Sequence, residues 1–280
     1  MTGWRSGRGR FADPHPGVTT VRFHARRRAT CAPRVRNSRC QRGSAKKTVP
    51  VIRILLIACL LLLGACTTHS AMPDAPAAAV NDSARWEPDI AAFEQADSIV
   101  RRRPGGVVFV GSSSIRLWDS MSDDFPGIAT INRGFGGSRV RDSTYYADRI
   151  VTPYQPSTIV FYAGDNDLFE GRTPQQVRDD FAAFVDKVRE RLPDARIGFI
   201  SIKPSPARAT LLPQIREANA LVRDFAKSAP NVDYLDVFLP MLDAQGQPRE
   251  ELFVADRLHM NASGYAIWAG VVRPWLTAAQ

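Results

Sequence analysis

Four short polar segments of the 280-residue chain carry groups able to do chemistry. Gly111-Ser112-Ser113-Ser114 offers small hydroxyl nucleophiles, while Asn132-Arg133-Gly134-Phe135-Gly136-Gly137-Ser138 and Gly164-Asp165-Asn166-Asp167 offer backbone donors, an amide and carboxylates. Asp256-Arg257-Leu258-His259 sets an acid three positions before an imidazole. His15, His24 and His69 lie in N-terminal stretches without a core pattern, so His259 is the imidazole of the globular part. A serine hydroxyl is a poor nucleophile at neutral pH and needs a base within hydrogen-bond reach, and His259 is the conventional one available. Each segment taken singly also reads as turn and N-cap chemistry, and a lone His is compatible with a purely structural role. A third reading is an oxygen-rich Mg²⁺ or Ca²⁺ site made from Asp165, Asp167, Asp256 and His259. A thiol-based or multi-His zinc site is excluded in the body, which has one His and no Cys beyond Cys66.

These segments must be held by something, and the intervening sequence alternates two patterns. Val107–Gly111, Ile128–Ile131, Thr158–Ala163, Arg196–Ser201 and Val232–Val237 are compact runs with the form of strands. Helices are predicted near 89–103, 140–150, 174–192, 211–228 and 261–278. The clearest has Val177, Phe181, Phe184, Val185, Val188 and Leu192 on one stripe, with Pro174 near its start. Alternation of this kind predicts an α/β fold, a three-layer α/β/α sandwich around a five-stranded, mainly parallel sheet. Such a sheet presents ligands at the carboxyl ends of its strands, where the polar segments fall.

In order and placement the four segments resemble the blocks of the SGNH, or GDSL-type, hydrolase family, across nearly all of residues 107 to 275. Gly111-Ser112-Ser113 stands for the Gly-Asp-Ser block, Gly137 for the second-block glycine, Gly164-Asp165-Asn166-Asp167 for Gly-x-Asn-Asp, and Asp256 with His259 for Asp-x-x-His. The resemblance implies a flavodoxin-like SGNH hydrolase fold. It also implies a serine esterase acting on acyl or acetyl esters through an acyl-enzyme on Ser113, with His259 as general base and Asp256 orienting it. The implied oxyanion donors are the backbone N–H groups of Ser113 and Gly137 and the side-chain amide of Asn166. No cofactor and no metal are implied. The departure is Ser112 where the family usually has Asp; a serine there can cap a helix start, and Ser112 and Ser114 stand as lesser nucleophile candidates. Asp165 and Asp167 are expected to fix their loop by hydrogen bonds. In the Ser201–Arg208 segment, Lys203 or Arg208 could face an anionic substrate group, against the simpler reading of a Pro-containing turn with solvated charges. The same site could serve an acyltransferase, and the same fold a non-catalytic glycan-binding module.

The formal charge of +9 is unevenly placed. Residues 1–65 hold 14 Lys and Arg against one acid, so the remainder carries 37 − 14 = 23 basic and 28 − 1 = 27 acidic groups, a net of −4. That balance removes the phosphate-neutralising support for nucleic-acid binding by the body. Ile54–Ala65 is an apolar run too short to span a bilayer but of signal-core length, behind Lys46, Lys47 and Arg53. Leu63-Gly64-Ala65-Cys66 resembles a lipoprotein lipobox. The expected organisation is therefore a disordered basic extension at 1–48, a signal peptide at 49–65, a lipidated Cys66 with a tether to 85, and a hydrolase-type domain at 86–280. Cys31, Cys40 and Cys59 precede the expected cleavage point, which leaves no intrachain disulfide. A start of translation near Val49 or Val51 accounts for the long basic extension; the alternative is a nucleic-acid-binding arm. With Thr67 after the cysteine, the expected location is the outer membrane, facing the periplasm. The partners are then a small-molecule, glycan or lipid ester substrate and the membrane, through Cys66.

Overall fold

The computed structural model describes residues 82–100 and 102–278. The basic extension, the signal segment, Cys66 and the tether up to 81 lie outside the described residues. In chain order the elements are α1 (Glu87–Ile99), β1 (Val107–Gly111), α2 (Ser113–Arg116), α3 (Met121–Asp124), β2 (Thr130–Gly134), α4 (Val140–Tyr145), α5 (Ala147–Ile150), β3 (Thr158–Tyr162), α6 (Asp165–Phe169), α7 (Pro174–Arg189), β4 (Arg196–Ile200), α8 (Leu212–Ser228), β5 (Val232–Leu235) and α9 (Ala262–Thr277). The five strands form one sheet in the order β2-β1-β3-β4-β5, and every pair is parallel.

Side-chain alternation along the strands builds two cores. Val108 and Val110 of β1, with Ile159 and Phe161 of β3, face a layer that includes α1, α4, α5, α7 and α8. Val107, Phe109, Val160 and Tyr162 face the opposite layer, built from α2, α3 and α9. Because both faces are covered, every residue of β1 and β3 is buried, which is why these strands read as unbroken apolar runs. The predicted stripe of α7 is its buried face, and the helix starts at a capping box: Thr173 Oγ1 accepts from Gln176 N at 3.2 Å and Gln176 Oε1 from Thr173 N at 2.9 Å.

Two expectations are corrected. The second strand runs over Thr130–Gly134 rather than 128–131, so Asn132, Arg133 and Gly134 are sheet residues and not loop. Backbone register decides this, since Val107↔Thr130 through Gly111↔Gly134 pair in step, and each polar side chain is satisfied. Asn132 Nδ2 donates to Ile115 O at 2.7 Å, and the buried Arg133 guanidinium donates to Asp97 at 2.6 and 2.7 Å and to Tyr154 OH at 2.7 Å. The helix expected at 140–150 breaks at Tyr146, whose ψ is 6° and whose buried hydroxyl donates to Ser83 O at 3.0 Å. The other helices fall within a few residues of their predicted spans; α1 ends early, at Ile99, ahead of the Pro104-Gly105-Gly106 turn.

Phe161 stacks among Phe181, Phe184 and Phe199 at centroid distances of 4.5–5.9 Å and is fully buried. Phe161→Ala is expected to cost about 3–5 kcal/mol, read as a lower urea midpoint with an unchanged slope; a loss below about 1 kcal/mol would show that this face is not close-packed.

Candidate active site

The carboxyl ends of β1, β2 and β3 open onto a cleft of about 380 Å³ lined by Asp89, Ser113, Arg116, Gly136, Gly137, Asn166, Leu258 and His259. The serine triplet resolves itself by geometry. Gly111 ends β1 with φ 138°, and a Cβ there would fall 1.8 Å from Tyr162 O, so only glycine lets the chain leave the sheet this way. The turn that follows buries Ser112 and Ser114 at 1% exposure each and leaves Ser113 facing the cleft at the first position of α2. Ser112 occupies the N-cap position but its hydroxyl makes no cap bond; its carbonyl accepts from Ile115 N and Arg116 N instead.

His259 arrives from the other end of the chain, just ahead of α9, whose start is capped by Asn261 Oδ1 accepting from Ser263 N and Gly264 N. Its Nε2 lies 2.9 Å from Ser113 Oγ and its Nδ1 2.6 Å from Asp256 Oδ2. The other carboxylate oxygen, Asp256 Oδ1, accepts from Leu258 N and His259 N, both at 2.9 Å. Burial pushes the Asp256 carboxyl up, but the hydrogen bonds from the His259 ring, His259 N and Leu258 N outweigh it and hold the pKa at about 2. An ionised carboxylate only accepts, so Nδ1 carries the ring proton and Nε2 is left to accept from the Ser113 hydroxyl. The turn depends on Arg257 in a left-handed conformation, φ 58°, whose carbonyl accepts from Ala207 N at 3.0 Å.

The backbone N–H groups of Ser113 and Gly137 donate to no acceptor among the described residues. Gly137 has φ 75°, and a Cβ there would come within 3.2 Å of the Trp86 ring, so a side chain at this position would be strained and crowded. Asn166 Nδ2 donates to Ser138 O at 3.0 Å and its Oδ1 accepts from Arg208 at 2.9 Å. The structure thus brings Ser113, Gly137, Asn166 and His259 to one cleft, with Asp256 behind His259.

The carboxylates proposed for a metal site go elsewhere. Asp165 is buried and paired with Lys203 at 2.8 Å and Arg208 at 3.1 Å, while Asp167 accepts from Val140 N at 3.2 and 3.3 Å. Among the described residues no group of three or more His, Cys, Asp or Glu is placed to hold an ion. Lys203 and Arg208 correct both readings of their segment: they are buried, so they are neither solvated nor lining the cleft, and their partner is Asp165.

Sequence reasoning missed the N-terminal strap. Asp82, Ser83 and Trp86 are tied over the second polar segment by Arg139, which donates to Asp82 at 2.7 and 2.8 Å and to Asp142 at 2.8 and 2.9 Å, while Ser83 Oγ donates to Asp142 at 2.6 Å. Trp86 then lies over Gly137, and Asp89 and Arg116 reach the cleft wall. The available signal was Arg139 three residues before Asp142, with Asp82 57 positions upstream of Arg139, which no local pattern connects.

A family model described as the GDSL-like Lipase/Acylhydrolase family matches residues 97–267. The chain is 26% identical over 165 residues to human platelet-activating factor acetylhydrolase IB subunit alpha1, covering 57% of this chain and 70% of that protein. Among solved structures, a Streptococcus pneumonia protein superposes with a TM-score of 0.62 at 19% identity, over 70% of this chain and 95% of that one. A GDSL-like lipase from Bacteroides thetaiotaomicron gives 0.57 at 20% identity, over 71% and 98%.

Burial pushes the Asp167 carboxyl up to about 7, against the pull of the Val140 N–H, with the Asp180 charge adding to the rise. The folded protein therefore keeps a proton that the unfolded chain loses near its ordinary value of 3.8, and stability falls as pH rises across that window. Asp167→Asn is expected to raise the Tm at pH 8 and to change it little at pH 4, each kcal/mol recovered giving roughly 2–4 °C. An equal shift at both pH values would show that the carboxylate is not strained by burial.

Proposed function

The chain belongs to the GDSL-like lipase/acylhydrolase family and is an ester hydrolase of that class, and from that premise we propose that it cleaves short-chain carboxylic esters of polar alcohols through an acyl-enzyme on Ser113. The observation that carries this reading is the continuous hydrogen-bonded chain from Ser113 Oγ through His259 to Asp256 at the wall of the cleft.

In the proposed mechanism Ser113 Oγ attacks the ester carbonyl carbon while His259 Nε2 takes its proton, and the carbonyl π electrons move onto oxygen. Asp256 holds the tautomer and stabilises the imidazolium that forms. The oxyanion is met by the unpaired N–H groups of Ser113 and Gly137 and by the Asn166 amide. Collapse expels the alkoxide, which takes the proton from His259 and leaves as the alcohol. Water, deprotonated by the same imidazole, then attacks the acyl carbonyl carbon; collapse breaks the bond to Ser113 Oγ, which takes the proton back from His259 as the carboxylic acid leaves.

The lining argues for the substrate class. Among the described residues Leu258 is the one aliphatic side chain bordering the cleft, which gives a long acyl chain little apolar surface to bury. Arg116 and Asp89 border the cleft and pair with no charged group among the described residues, so a guanidinium and a carboxylate stand available to a hydroxylated or charged alcohol. The name of the human relative, an acetylhydrolase, points the same way.

On nitrophenyl esters from acetyl to palmitoyl, kcat/KM is expected to be highest for acetyl and to fall with length. Ser113→Ala and His259→Ala should each lose at least about 10⁴-fold with an unchanged melting curve, whereas Ser112→Ala and Ser114→Ala stay within about tenfold. Equal losses at all three serines in folded protein would undo the nucleophile assignment, and a maximum at long chains would undo the substrate class.

We further propose that the protein is exported and held at the outer membrane by lipid on Cys66, on the strength of the apolar run and the lipobox-like Leu63-Gly64-Ala65-Cys66. Cys66→Ser should move the protein from the membrane fraction to the soluble one; unchanged partitioning would remove the anchor.

A further inference from the structure

A carboxamide presents a donor at one end and an acceptor at the other, and a half-turn of the Asn166 side chain would set an oxygen lone pair where an oxyanion is to form. Two partners prevent it. Asn166 Nδ2 donates to Ser138 O at 3.0 Å, and Oδ1 accepts from Arg208 Nη2 at 2.9 Å. A guanidinium has no acceptor, so the end of the carboxamide that meets Arg208 has to be the oxygen. With one Nδ2 proton taken by Ser138, the second is left for the cleft that Asn166 borders.

Arg208 is in turn held by its own surroundings. Its Nη1 lies 3.1 Å from Asp165 Oδ2, its guanidinium sits 4.7 Å over the Phe169 ring, and Lys203 Nζ binds the same Asp165 oxygen at 2.8 Å. The Lys203 and Arg208 side chains are only 1% and 9% exposed, so two cations face one carboxylate in a largely water-free setting. The surplus positive charge stands one hydrogen bond behind the Asn166 amide, where weak screening lets it polarise the N–H toward donation. The neighbouring residue ties the same segment to the acid-base turn, because Ala207 N donates to Arg257 O at 3.0 Å.

We propose that Arg208 is a positioning residue for the oxyanion step: it fixes which end of the Asn166 carboxamide faces the substrate and strengthens that donor, without touching the substrate itself. The inference rests on the serine-esterase reading above. Arg208 does not border the cleft, so its removal is expected to act on the chemical step and not on ground-state binding.

The test is a double-mutant cycle on nitrophenyl acetate with the full-length protein. Arg208→Met is expected to lower kcat by roughly 10–100-fold with KM within about threefold, and Asn166→Ala by about 10²–10³-fold. If Arg208 works through Asn166, the double variant is no slower than Asn166→Ala alone, within about threefold. Arg208→Lys, which keeps a buried cation and a donor, should recover part of the loss. Multiplicative losses in the double variant, or a loss confined to KM, would overturn the proposal. Should Arg208→Met lack a cooperative melt, Arg208→Gln, which removes the charge but keeps a polar side chain, takes its place in the cycle and is judged by the same criterion. Ser113→Ala, run alongside, separates the two levels: activity that survives it strikes the mechanism, whereas an additive cycle with Ser113→Ala inactive strikes only the role of Arg208.

Discussion

A hydrogen bond of 2.9 Å joins Ser113 to His259 across 146 positions of sequence, and its geometry tolerates errors of only a few tenths of an ångström. Neither residue can reach the other by local structure. Ser113 is set by the exit of β1 at Gly111, which is itself wedged against Tyr162 of β3. His259 is set by the turn before α9, whose face packs Tyr265 and Trp268 against Trp118 at 5.4 and 5.7 Å. Tyr265 also donates its hydroxyl to Ser114 O at 3.0 Å, so the last helix is bonded directly to the turn that carries the serine. The second core, beneath α9, thus holds the base over the hydroxyl.

Around that bond the molecule holds three ionic clusters built on buried cations. Arg133 with Asp97, Arg139 with Asp82, and Arg208 and Lys203 with Asp165 are each assembled between segments distant in sequence, while Asp142 meets Arg139 from the next turn. Removing such charges from water is costly, and a pair repays that cost only when its geometry is good. Their contribution is therefore better understood as placement than as net stability. Arg139 holds the strap whose Trp86 covers Gly137, and Asp165 holds the arginine that meets Asn166. Two of the three clusters therefore lie next to a donor that the proposed chemistry needs.

The carboxylates divide by environment. At Asp256 burial raises the pKa, but the His259 and Leu258 hydrogen bonds together outweigh it and keep the carboxylate ionised through the neutral range. Its stabilising contribution is present above its ordinary value of 3.8 and lost as pH falls through about 2. Asp167 sits in a buried position where desolvation dominates and holds the proton nearly to neutrality. One acid is thus suited to balancing a charge on His259. The other, largely protonated below about pH 7, accepts from the first residue of α4 and so joins α4 to α6.

Periodicity and residue type already determined the alternation of buried strands with amphipathic helices, the α7 stripe and the polar segments at the ends of β1, β2 and β3. Those features report local burial, which leaves an unbroken apolar run in a strand covered on both faces and one stripe along a helix covered on one. The sequence also located His259 as the body's one imidazole and Asp256 three positions before it. It could not distinguish by exposure among Ser112, Ser113 and Ser114, because that depends on the angle at which the chain leaves β1 against β3. Nor could it extend β2 through Asn132 and Arg133, which are in the sheet because backbone register with β1 and distant partners satisfy them. The burial of Lys203 and Arg208 and the strap over Gly137 were equally out of reach. An ionic partner 38 or 57 positions away leaves no periodic trace, and only the assembled sheet brings the two ends together.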